Sequence, residues 1–77
     1  MKTFKVRYGE YRGKNAVEKD FSFSNTASPS EVKRKIYASF PTDTAHVIWV
    51  KFEDEKIYES ESWKKAGAYK KAFPGYK

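Results

Sequence analysis

Four consecutive residues, Ser28-Pro29-Ser30-Glu31, constrain the fold of this chain more than any other stretch. Ser is a strong N-cap, Pro at the first helical position has its φ already set, and the following Glu completes a capping box. A helix must start here. Val32, Ile36 and Phe40 then repeat every fourth residue, while Lys33, Arg34 and Lys35 fall mostly on other sides, until Pro41 stops the run. The result is an amphipathic helix with a basic outer face.

A helix fixed at this place divides the chain into two halves. Upstream, Lys2 to Tyr8 alternates with Phe4, Val6 and Tyr8 on one face and Thr3, Lys5 and Arg7 on the other, the period-2 pattern of a half-buried strand. Gly9 to Asn15 carries the glycines and the Asn of a hairpin loop. A second strand returns from about Ala16 to Ser24, with Val17, Phe21 and Phe23 on its apolar side and Lys19 interrupting it. Downstream of the Pro41-Thr42-Asp43-Thr44 connector, Ala45 to Glu53 surrounds the apolar run Val47-Ile48-Trp49-Val50 and is expected as a central strand covered on both faces. Glu53-Asp54-Glu55-Lys56 is a charged turn, and Ile57-Tyr58-Glu59 a short fourth strand.

From Ser60 or Ser62 the spacing of Trp63, Ala66, Tyr69 and Phe73 predicts a second helix, which Gly67 weakens by roughly 1 kcal/mol relative to Ala. Pro74-Gly75 ends it. The expectation is therefore a single α+β domain over residues 1–73 with a short tail at 74–77. Its element order is ββαββα, with a mostly antiparallel sheet and both amphipathic helices packed on one face. The two halves share only a loose pattern, Lys5-Val6-Arg7-Tyr8 against Val50-Lys51-Phe52, too short to establish a repeat.

At 77 residues the core is small, and without a cysteine no disulfide reinforces it. Six Phe, six Tyr and two Trp supply the bulk instead. The missing thiols also exclude thiolate zinc sites and cysteine nucleophiles, and they fit a reducing, cytoplasmic setting. The start of the chain lacks the apolar segment of a signal peptide, and no run approaches the length of a membrane span, so no membrane partner is expected.

Chemistry is sparse. His46 is the sole histidine; plain alternation places it with Ile48, Val50 and Phe52, and Asp43 is the one carboxylate placed to orient it. A lone strand-end His reads better as a packing residue. No Gly-rich phosphate loop, nucleophile elbow or metal-binding His pair is present. The acidic hairpin spacing matches no calcium loop. The expectation is a non-enzymatic chain without a cofactor or metal.

Its net charge of +6 favours polyanions. Candidate nucleic-acid contacts are Lys5, Arg7, Tyr11, Arg12, Lys14, Lys33, Arg34, Trp49, Lys64, Lys65, Lys70 and Lys71. No carboxylate follows Glu61, so the C-terminal lysines stand unopposed. If both helices cover one face of the sheet, the other presents Lys5, Arg7, Ser22 and either Trp49 or Lys51, a basic surface with an aromatic platform. With few arginines, binding should be weakly sequence-specific and strongly salt-dependent. The alternative is a small protein-binding regulator or inhibitor, such as a phage or mobile-element accessory protein, using Glu53, Asp54, Glu55 and Tyr58. An edge strand would allow a weak homodimer in place of a monomer.

Overall fold

The computed structural model describes residues 1–10, 15–39 and 46–76. Its elements are β1 (Lys2–Gly9), β2 (Val17–Phe23), α1 (Pro29–Ala38), β3 (His46–Phe52), β4 (Glu55–Glu59), β5 (Ser62–Trp63) and α2 (Ala68–Ala72). The strands form one sheet in the order β2-β1-β3-β4-β5, and every neighbouring pair is antiparallel. As expected, β3 is the middle strand. Phe40, Pro41, Asp43, read from sequence as able to orient His46, and Tyr11, Arg12 and Lys14 lie outside the described residues.

The first half follows its sequence pattern except in β2, where Val17, expected on the apolar side, is 50% exposed because it lies at the far end of the edge strand from the buried Phe23. Ser28 caps α1 by accepting from the Glu31 backbone N–H at 3.2 Å, and Val32 and Ile36 are buried. In β1, Phe4 and Val6 are fully buried, while their neighbours Thr3, Lys5 and Arg7 take the opposite face.

The second half departs from ββα. Where a helix was expected from residue 60 or 62, the chain turns at Ser60-Glu61 and adds the short strand β5, with Trp63 paired to Tyr58. The indole sits edge-on to the Tyr58 ring at 5.0 Å, and the Lys64 N–H donates to the Ile57 carbonyl at 2.8 Å. Helix α2 begins only after Gly67. This glycine has φ +57° and ψ −123°, a conformation closed to ordinary L-residues, so it sets the entry to the helix rather than weakening its interior. Trp63 still reaches Tyr69 and Phe73, at 5.6 and 5.5 Å, because the chain reverses between them. The spacing that suggested one helical stripe is satisfied by a strand, a turn and a short helix.

Two irregularities set which side chains share a face. Between β1 and β3 the register shifts after Arg7, so that Arg7 opposes Trp49 but Tyr8 opposes Val47. The extra residue, Ile48, moves His46 opposite Gly9 and off the parity of Val50 and Phe52. A second shift, between β3 and β4, lets the adjacent residues Ile57 and Tyr58 both be buried.

The buried cluster joins Phe4, Val6, Phe23, Val47, Val50, Ile57 and Tyr58 of the sheet to Val32 and Ile36 of α1 and to Ala68, Tyr69, Ala72 and Phe73 of α2 or its end. Phe4 and Phe73 lie at its centre, 5.6 Å apart and stacked. Lys2 fastens the cluster's rim. Its ammonium donates to the Ala72 and Ala27 carbonyls and sits 4.7 Å over the Phe73 ring. Burial pushes its pKa down, and the Glu31 charge partly opposes that.

Apart from Asp54, the tight turns of the second half are built from residues poorly suited to them. Glu53 and Asp54 have φ of 53° and 66°, and Ser60 and Glu61 have 55° and 61°. These are two-residue loops with both central residues left-handed, the geometry that favours Asn-Gly. Each non-glycine there costs on the order of 1 kcal/mol. Glu61→Gly should therefore raise the urea midpoint, by about 1 kcal/mol of stability; an unchanged or lower midpoint would count against strain at this turn.

Candidate nucleic-acid interface

In antiparallel pairing, residues directly opposite one another share a face. The register therefore defines the face of the sheet whose side chains stay out of the buried cluster. Across it runs one row, Asp20, Lys5, Lys51 and Lys56, on β2, β1, β3 and β4. Three adjacent strands thus present lysine against lysine against lysine. Like charges directly opposite destabilise a sheet. Lys56 is relieved by an ion pair to Glu59 at 2.8 Å. Among the described residues, neither Lys5 nor Lys51 has an ion pair.

The next row on the same face is Glu18, Arg7, Trp49, Glu59 and Ser62. Arg7 Nη1 is 2.8 Å from Glu18 Oε2, so this guanidinium is drawn toward β2. Glu59 accepts from Lys56 and from Lys64 at 2.8 and 2.9 Å. Those two hydrogen bonds hold its carboxyl down to about 2, so it stays ionised in all ordinary buffers. Trp49 stands between them and is only 9% exposed. The Lys51 ammonium covers its ring at 4.5 Å from the centroid. No family model matches this chain, and no curated protein or solved structure does either.

The structure brings together only some of the candidate contacts. Lys5, Arg7 and Trp49 share the open face, with Lys64 at its border through Glu59. Lys33 and Arg34 lie on α1, and Lys70 and Lys71 on α2, whose buried residues belong to the opposite, apolar side. Lys33 is turned over the Tyr58 and Tyr37 rings, at 5.5 and 6.0 Å. Lys65 is exposed in the link before Gly67, and Tyr11, Arg12 and Lys14 lie outside the described residues. Trp49 and Lys51, read from sequence as alternatives, occupy the same face. Lys56 was missed. Lys56 was read as part of the charged turn, but β4 already begins at Glu55, and the shift that aligns Lys56 with Lys51 is invisible in the one-dimensional pattern.

The acidic hairpin is exposed at Glu53, Asp54 and Glu55, and two of its carboxylates have partners on or beside α2. Glu55 Oε2 accepts from the Ala68 backbone N–H at 2.9 Å, and Glu53 lies 4.0 Å from the Lys71 ammonium. Tyr58, expected as a surface anchor, is a core side chain at 2% exposure, placed there by the shift that buries it beside Ile57. Burial, with the neighbouring Tyr58 phenol adding to it, pushes the Tyr37 hydroxyl up. Among the described residues no group of three or more His, Asp or Glu could hold a metal ion, and no helix is long and apolar enough to cross a membrane.

Proposed function

We propose that this chain is a small, non-enzymatic nucleic-acid-binding module. It takes the phosphate backbone on the face of its sheet that lies away from the buried cluster. The observation that carries this reading is the lysine row. Lys5, Lys51 and Lys56 stand directly opposite one another on three adjacent strands, and the two without ion pairs among the described residues are those at β1 and β3, near the middle of the sheet. Such a row costs the free protein stability, and a polyanion laid across it removes that cost. Lysine ammoniums are point charges suited to phosphate contact and poor at bidentate base reading, so affinity should depend on salt more than on sequence.

The test uses fluorescence anisotropy of a labelled oligonucleotide against the protein and a Lys5→Gln/Lys51→Gln variant over a salt series. The variant should bind roughly tenfold or more weakly at low salt, and the slope of log affinity against log salt should fall by about two. Its thermal midpoint should change little, because the substitution removes a like-charge pair together with the Asp20–Lys5 pairing and the Lys51–Trp49 contact. A variant that binds as tightly as the parent protein would refute the reading.

A further inference from the structure

We infer that the strand taken on this face is single, and that Lys51 is a movable cover which exposes Trp49 for stacking against an unpaired base. This rests on the nucleic-acid reading above and names its substrate class. Among the described residues, Trp49 is the one Phe, Tyr or Trp that the register places on the open face, and at 9% exposure it is recessed. Its two cross-strand neighbours are held by their own partners, Arg7 by Glu18 on β2 and Glu59 by Lys56 and Lys64. Among the described residues, the cation over the ring is the Lys51 ammonium, at 4.5 Å.

Lys51 is also the central member of the lysine row, with Lys5 on one side and Lys56 on the other. A phosphate arriving at that row competes directly for the cation now resting on the indole. A surface cation–π contact is weak, and a charge-assisted hydrogen bond to phosphate is stronger. When Lys51 swings to the phosphate on its flexible stem, the Trp49 ring is uncovered next to the nucleotide that displaced it. A duplex keeps its bases stacked inside and cannot fill the recess; a single strand can turn a base into it. Stacking of this kind tolerates any base, in keeping with low sequence specificity.

Three probes of equal length separate the possibilities: oligothymidylate, an abasic strand with the same phosphates, and a duplex. Each is titrated at low and near-physiological salt, with anisotropy and tryptophan emission read together. The expected result is that oligothymidylate binds roughly tenfold more tightly than the abasic strand and more tightly than the duplex, and changes the tryptophan emission where the other two do not. Trp49→Leu, checked for folding by circular dichroism, should abolish the difference between oligothymidylate and the abasic strand and the emission change that oligothymidylate causes. The comparison of strands on the unaltered protein needs no variant to fold. Equal affinity for all three probes with no emission change would overturn the Lys51 cover and leave a phosphate-binding face standing. A duplex preferred to the single strand would do the same. Failure of every probe to bind at low salt would overturn both readings.

Discussion

Phe73→Ala should leave this protein largely unfolded at room temperature. Phe73 has no exposed surface, and its ring meets Phe4 at 5.6 Å, Trp63 at 5.5 Å and Tyr69 at 5.1 Å, with the Lys2 ammonium 4.7 Å over it. Truncating a buried Phe to Ala costs about 3–5 kcal/mol through lost transfer energy and the cavity left behind. The aromatic pairs add something beyond area alone. A core in a chain this short supplies roughly 3–5 kcal/mol in total, so one substitution removes most of the margin. The deletion also strands Lys2, which loses its ring and the helix end that holds its carbonyl partner. Far-ultraviolet circular dichroism and a urea titration would check this, with Phe73→Leu as the volume-retaining control expected to remain folded. A Phe73→Ala protein melting within a few degrees of the parent would show that the centre of the core lies elsewhere.

The second large effect is expected at Gly67. With φ +57° it sits where an L-residue is strained, and a Cβ added there would lie 2.1 Å from Glu55 Oε2. That oxygen is the acceptor for the Ala68 N–H, so the carboxylate cannot move aside without uncapping α2. Gly67→Ala should therefore combine backbone strain of about 1–2 kcal/mol with loss of a cap worth about 1 kcal/mol. Together these would lower the melting temperature by roughly 10–20 °C in a domain of this size. A double-mutant cycle separates the two parts. Glu55→Ala alone should cost only the cap, and the double variant should cost less than the sum, because the clash and the cap share one carboxylate. Strict additivity would mean that Glu55 and Gly67 are independent.

What the sequence made legible was whatever depended on neighbours along the chain. The Ser28 cap, the burial of Val32 and Ile36, and the alternation of Phe4 and Val6 against Thr3, Lys5 and Arg7 all follow from local pattern. What it hid depended on pairing between strands. Plain alternation assigns His46 to the side of Val50, and only the extra residue at Ile48 reverses that. Tyr58 looked like a surface anchor because the shift that buries it beside Ile57 belongs to two strands at once. The Trp63, Ala66, Tyr69, Phe73 spacing imitated a helix because a chain reversal at Gly67 brings the same aromatics together by another route. The lysine row is the same lesson in the candidate site: Lys5, Lys51 and Lys56 are far apart in sequence and meet only through two registers.

The sheet ends very differently at its two borders. β2 offers a seven-residue border, whereas β5 at the other side offers only two residues. Stacking copies head to tail, the outer side of β2 against the β5 of the next molecule, would have almost no ladder to form, so open-ended growth has no foothold. The arrangement left is β2 against β2 about a two-fold axis, which closes on itself. Even that is obstructed, since centring the pair on Lys19 or Asp20 sets each residue against its own copy, leaving Phe21 as the nearest centre free of like charge. Symmetry thus limits edge association of this sheet to a finite pair in a narrow choice of alignments, and denies it the route to a fibre.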